Sequence, residues 1–342
     1  MKKQGLMVTG MVSLAVLATA CGDADNNAAN NNGSDNEDAP DDVTLRLAHT
    51  GSGDHQYNIA AEHFADLVDE KTDGAVDIDI HGDATLGGED EAIEQVIDGT
   101  LDMTTVAADS SFANTVPEMN LFGLPYIFED IDHAYETMDG DVGQELLDEV
   151  EEHGMIGMDY WEVGLRHVST NEGEIHSPDD MEGMSIRVQP SPVWEAHMEA
   201  LGASPTPVDF DELYSALDQG VVDGQENPLA TIDSMNFYEV QDYVSMTGHT
   251  YSPAIVVMSE NAEEELGGHF EDVQAAVEET TEFHREELAE REEEIISTLE
   301  DEGVTITEDP DFEAFQEATE EVRDMMEDEV PADLVDRVVD RE

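Results

Sequence analysis

Lysine is nearly absent from this chain: 342 residues hold three, Lys2, Lys3 and Lys71, beside eight arginines. Against these stand 86 Asp and Glu, for a formal net charge of −75. A surface that neutralises phosphates needs clustered Lys and Arg, so nucleic-acid binding is excluded, and an anionic membrane surface is disfavoured for the same reason. Cysteine is missing apart from Cys21, which excludes an intrachain disulfide. Hydrophobic residues are not scarce, at 39%, and they recur periodically, so the charge does not signal wholesale disorder. Self-repulsion opposes a compact state unless salt shortens the screening length from about 8 Å to about 3 Å at 1 M. The composition is therefore that of a folded protein exposed to molar salt.

Chemical motifs are also lacking. There is no G-x-S-x-G, no H-E-x-x-H, no G-x-x-x-x-G-K and no EF-hand loop. Gly51-Ser52-Gly53 lacks the third glycine of a dinucleotide fingerprint and reads as a turn. The twelve His are scattered, and residues such as His81 and His249 read as hydrogen-bonded surface or core histidines. Neither a metal site nor a cofactor is expected, and nothing marks a nucleophile, so the chain does not read as an enzyme.

Met1 to Ala20 has the form of a secretory signal: Lys2 and Lys3, an apolar stretch from Leu6 to Leu17, then small residues. Leu17-Ala18-Thr19-Ala20-Cys21 resembles a bacterial lipobox, which implies lipidation at Cys21 and an extracytoplasmic location, in the periplasm or on the outer face of the cell membrane. Residues 21–42 then form an acidic tether with no large apolar side chain before position 43. From Val43 the pattern is α/β. Val43, Leu45 and Leu47 alternate, Tyr57 to Lys71 places Ile59, Phe64, Leu67 and Val68 on one helical face, and Val76, Ile78 and Ile80 alternate again. That is a βαβ unit with a parallel strand pair. A helix over Glu89 to Asp98 and a strand over Leu101 to Val106 repeat the pattern. A strand at Met184 to Val188, a helix from about Val193 to Leu201 and a helix from Phe210 to Leu217 restart it in the second half. Phe270 to Asp301 lacks Gly and Pro and predicts one long helix that either spans two lobes or kinks where Phe283 and His284 disturb its stripe.

Between Lys71 and Arg285 the only basic side chains are Arg166 and Arg187. Neither lies on a helical face where it would serve as an ordinary i,i+4 partner. Each either pairs with a nearby carboxylate or offers its planar fork to a carboxylate ligand. Two such residues in a water-poor cleft would define a site for a small organic acid.

Five stretches stand in order: Met181-Glu182-Gly183-Met184-Ser185-Ile186-Arg187-Val188, Leu201-Gly202-Ala203-Ser204-Pro205-Thr206-Pro207, Phe210 to Leu217, Val222-Asp223-Gly224-Gln225-Glu226-Asn227-Pro228 and Phe237 to Gln241. On these the chain, from about Val43 almost to the C-terminus, resembles TRAP-transporter substrate-binding proteins of the DctP type. The resemblance implies a two-lobed periplasmic-binding-protein-like α/β fold with a hinge and a long C-terminal helix spanning the lobes. One lobe would comprise 43–163 plus about 252–291, the other 164–251 plus about 292–342. It also implies capture of a small carboxylate, a C4-dicarboxylate, keto acid or sugar acid, for delivery to a two-part membrane permease. By motif, Arg187 corresponds to the arginine that salt-bridges the ligand carboxylate, Asn227 to a hydrogen-bonding asparagine, Phe210 to a packing aromatic and Arg166 to a second arginine. Glu89, Ser111, His49 and Thr50 fall where ligand-selecting side chains occur. Ala108 and Ser111 are uncharged where sialic-acid binders carry charge, and Ser185 stands where ectoine binders place an aromatic, so both ligands are disfavoured. A sensing accessory with the same pocket, or an exported enzyme acting on a small acid, are the alternative readings.

Overall fold

The computed structural model describes residues 42–341, so the expected secretory leader, the expected lipobox with Cys21 and the expected tether up to residue 41 lie outside the described residues. The alternation of Val43, Leu45 and Leu47 becomes β1 (Val43–Ala48), with those three side chains buried. Helix α1 (Gln56–Lys71) starts where the His55 ring accepts a hydrogen bond from the Tyr57 amide. Its buried face is Tyr57, Ala60, Ala61, Phe64 and Val68, rotated from the expected face. Small Ala60 and Ala61 bring the helix close to the sheet, which leaves Ile59 and Leu67 half-buried at its margins. Strand β2 (Val76–His81), helix α2 (Glu89–Ile97) and strand β3 (Met103–Ala107) follow. β2 and β3 flank β1 in parallel, as βαβ crossovers require.

Helices α3 (Ile131–Met138) and α4 (Asp141–Glu149) lead into β4 (Met155–Thr170), a strand of 16 residues. The second run comprises β5 (Ser185–Val188), α5 (Pro192–Ala200), β6 (Ser204–Pro207), α6 (Leu213–Asp218), β7 (Gly224–Pro228), α7 (Leu229–Ser234) and β8 (Tyr243–Ser245). β9 (Tyr251–Ser259), α8 (Glu260–Leu266), α9 (Phe270–Asp301), β10 (Thr305–Thr307), α10 (Phe312–Met325) and α11 (Ala332–Asp340) complete the chain. The helix expected from Phe210 forms in two pieces, a 3-10 turn over Phe210–Glu212 and then α6.

The strands run in the order β2-β1-β3-β9-β4-β7-β5-β6. β9 pairs antiparallel with β3 and with β4 as far as Leu165. From Arg166 onward β4 pairs instead with β7, and over its last residues with β8 as well. This makes the fold two-lobed, with β4 and β9 linking the halves. The change of partner falls beside Gly164, at φ +121°, where the register slips and a Cβ would lie 3.2 Å from Pro228 Cβ. A glycine bulge at this point lets one strand serve two differently oriented sheets.

Helix α9 is unbroken over 32 residues, roughly 48 Å at the α-helical rise. Val273, Ala276 and Val277 pack in the core beneath α1 and β1, whereas Ile295 and Leu299 pack with Leu213 and Phe237. It therefore spans both halves, the first of the two expected alternatives. Phe283 stacks on His63, and His284 is buried against Trp161 while accepting from the Glu162 amide at 3.2 Å. Both side chains continue the packing by other chemistry. Among the described residues, no helix is long and apolar enough to cross a membrane.

Candidate ligand-binding site

The carboxyl ends of β1, β3, β5 and β7 bring most of the predicted residues together, as expected of binding crevices in α/β folds. His49 and Thr50 follow β1, Ser111 follows β3, Arg187 is in β5 and Asn227 in β7. The two halves touch here. Asn114 Nδ2 donates to Pro190 O at 2.8 Å, Trp194 Nε1 donates to Asp109 O at 3.1 Å, and Gln56 Nε2 donates to Thr231 Oγ1 at 2.8 Å.

Arg187 is fully buried. Its Nε donates to Val208 O at 2.8 Å, and neither Nη1 nor Nη2 has a hydrogen-bond partner in the protein. No carboxylate lies within ion-pair distance of it among the described residues. Burial, reinforced by Arg166, lowers its pKa to about 10, although Glu226, Glu89 and Asp209 act in the opposite direction. A buried charge with two unused donors is costly, and an incoming carboxylate would relieve that cost with a two-pronged, charge-assisted contact.

Arg166, equally buried, is arranged differently. Its Nε reaches Glu226 Oε2 at 2.5 Å and its Nη2 reaches Glu226 Oε1 at 2.9 Å, a fork-on-fork pair inside the protein. Nη2 also donates to Glu226 O at 2.9 Å and to Asn227 Oδ1 at 3.2 Å. The guanidinium lies 4.8 Å from the Trp194 ring centre. Burial alone would raise the Glu226 pKa, but Arg166 and the hydrogen bond with His249 outweigh it and hold the carboxyl below its ordinary value. Arg166 has thus met its carboxylate in the protein, and only its Nη1 has no partner. Asn227 is occupied as well, with Oδ1 accepting from Arg166 and Nδ2 donating to Gln225 Oε1 at 2.5 Å.

Phe210, Glu89 and Ser111 line a cavity of about 350 Å³, within the size range of small-molecule sites. The Phe210 ring meets His55 and Phe237 edge-on, with centroids 6.0 and 6.3 Å apart. Glu89 opens α2 behind Gly88 and is 8% exposed. Burial pushes its carboxyl up to about 7, against the opposing effects of Ser111, the Ala107 backbone and Arg187. His49, Thr50, Arg166, Arg187 and Asn227 do not line this cavity. His49 is buried 6.3 Å from the Tyr57 ring, and burial pulls its pKa down to about 4. The Thr50 hydroxyl is buried without a partner.

Three residues without an expected role also belong here. Glu226 lies inside the recognised motif but is one acid among 86. Asp109, pushed up to about 6 by burial, accepts from Ser252 and leaves Oδ2 unpartnered. Tyr57 is buried within the electrostatic reach of Glu89, Arg166 and Asp109. No local sequence signal marks either of the last two. His249 bonds Thr247 at 2.8 Å and lies 3.4 Å from Glu226, a core histidine as expected. Two other cavities, of 320 and 690 Å³, lie against α3 and contain no predicted site residue. No metal-ligating cluster occurs among the described residues.

Residues 47–329 match the family described as bacterial extracellular solute-binding protein, family 7 (DctP). The chain is 35% identical over 299 residues to the 2,3-diketo-L-gulonate-binding periplasmic protein YiaO of Escherichia coli, covering 86% of this chain and 91% of that one. An uncharacterized Sinorhizobium fredii protein, y4mM, is 38% identical over 280 residues, 82% of this chain; the match spans about half of that longer protein, 52%. Among solved structures, a TRAP periplasmic solute-binding protein of Polaromonas bound to D-erythronate superposes with a TM-score of 0.84 at 32% identity, over 87% of this chain and 98% of that one. One from Sulfurospirillum deleyianum with bound succinate gives 0.83 at 34%, over 87% and 98%. The chain belongs to the family 7 extracellular solute-binding proteins, the DctP-type substrate-binding proteins of TRAP transporters.

Proposed function

We propose that this protein captures a small organic carboxylate outside the cytoplasm by a salt bridge to Arg187 and delivers it to a two-part TRAP membrane permease. The observation that carries the reading is the buried Arg187 fork, with both terminal nitrogens unpartnered and with Glu89 and Asp209, which line the cavity of about 350 Å³, acting on its charge. Asn227 and Arg166 Nη1 complete the carboxylate end, and Phe210 packs against the ligand's carbon skeleton. Relatives that bind diketogulonate, erythronate and succinate support an acid as the cargo. Closure is hinged at Gly164 on β4 and near residue 252 on β9, so the moving lobes are 43–163 with about 252–291, and 164–251 with about 292–342. Exclusion of water on closure strengthens the ion pair by lowering the local dielectric. In the cell, Cys21 anchors the domain to the membrane through a lipid and the acidic tether.

A thermal-shift screen of organic acids in molar salt tests this reading, because a ligand that binds only the folded state raises its stability by about 2.7 kcal/mol at a hundredfold excess over Kd. At least one acid should stabilise the wild type and leave Arg187→Gln unmoved. Equal shifts in both proteins would overturn the site assignment.

A further inference from the structure

The Arg187 reading concerns one end of the ligand, and the residues around the cavity constrain the other. Every charged side chain lining the cavity is acidic: Glu89, Asp90, Glu91, Asp209, Asp211 and Glu212. Of the two buried arginines nearby, Arg166 is already matched by Glu226, so one guanidinium remains for the ligand. A second ligand carboxylate would find no cation and would face Glu89 across the cavity. Like charges brought together in this way cost several kcal/mol in interfaces.

Neutral polar groups occupy the same region. Gln189 Oε1 is buried without a donor and Ser111 also lines the cavity, next to the buried Ser110, whose hydroxyl lacks a partner. Buried acceptors left unmatched are costly, and a ligand hydroxyl both donates and accepts. Separated neutral groups at Gln189 and Ser111 suit hydroxyls along a carbon chain better than one compact ammonium.

We infer that, given the Arg187 reading on which this rests, the ligand is a polyhydroxylated monocarboxylate, and that Glu89 is the specificity residue that accepts from its hydroxyls and excludes a second carboxylate.

Calorimetry with D-erythronate, succinate, butanoate and γ-aminobutyrate, acids of matched chain length, tests this in molar salt at a pH above the Glu89 midpoint of about 7. Wild-type protein should bind erythronate at least about tenfold more tightly than each of the others. Glu89→Gln, which keeps the shape and removes the charge, should narrow the erythronate-to-succinate ratio by about tenfold or more. Succinate binding as well as erythronate would overturn the inference and leave the Arg187 reading intact. Tighter γ-aminobutyrate would overturn its hydroxyl component, and an unchanged ratio in Glu89→Gln would remove Glu89 as the discriminator. If Glu89→Gln fails to fold, the wild-type panel still decides the ligand class, and Glu89→Ala supplies the ratio. Failure of the underlying reading looks different: every acid that binds would bind Arg187→Gln equally well.

Discussion

Replacing Arg187 with Met should move stability and affinity in opposite directions. The guanidinium is buried, and its pKa falls from the ordinary arginine value to about 10, chiefly through burial. That fall corresponds to roughly 3 kcal/mol. For a base, a folded-state value below the unfolded one means that the folded protein bears the full cost at every pH below about 10. Met fills a similar channel without charge, so the ligand-free protein should recover that cost. The variant forfeits the Nε bond to Val208 O, about 1 kcal/mol, which leaves a net gain of about 2 kcal/mol. Binding should weaken by the roughly 3–5 kcal/mol lost when one partner of a buried charge pair is removed, or two to three and a half decades in Kd. Urea melts without ligand and calorimetry with it, both in molar salt, measure the two effects separately. Arg187→Lys, a point charge without the fork, should bind poorly and show no gain in stability. An Arg187→Met protein that is less stable without ligand, yet binds as tightly as wild type, would refute the reasoning.

Other perturbations test other parts of the structure. Glu226→Gln strands Arg166 without its counter-charge and should cost about 3–5 kcal/mol in urea melts; a loss under 1 kcal/mol would show that the pair is dispensable. Glu162 is buried, and burial pushes its carboxyl up to about 7 against the opposing hydrogen bond from Tyr251 and the charge of Arg285. The folded state therefore holds that proton more tightly than the unfolded chain. Stability falls as pH rises from about 4.5 to about 7, and the full cost of about 3 kcal/mol persists above. The stability of Glu162→Gln relative to wild type should accordingly grow across that window and level off beyond it, and a pH-independent difference would contradict this account. The net charge is −75, and it would be −77 with Lys2 and Lys3 removed in the proposed leader, so the surface should repel anionic ligands. Stopped-flow association should quicken as salt rises, and an on-rate that slows while the protein stays folded would argue against that field.

Sequence alone determined the elements whose cause is local. Alternation at Val43, Leu45 and Leu47 specifies β1, and a stretch without Gly or Pro from Phe270 to Asp301 specifies α9 over its full length. Arg187 stood out because positive charge is so rare in this chain: the composition that points to molar salt also isolates the guanidinium that is left unpaired. Scarcity marked Arg166 equally, but only the tertiary structure separated the two. The β4–β7 register sets Val168 opposite Glu226 and lays that carboxylate along the Arg166 fork, whereas β5 carries Arg187 to a place with no carboxylate within ion-pair distance among the described residues. With 86 acids available, no pattern in the chain could single out Glu226 as the partner or Glu89 as the group facing the cavity. Periodicity is read along the backbone, but the state of a buried charge depends on groups that the fold brings to it from distant positions.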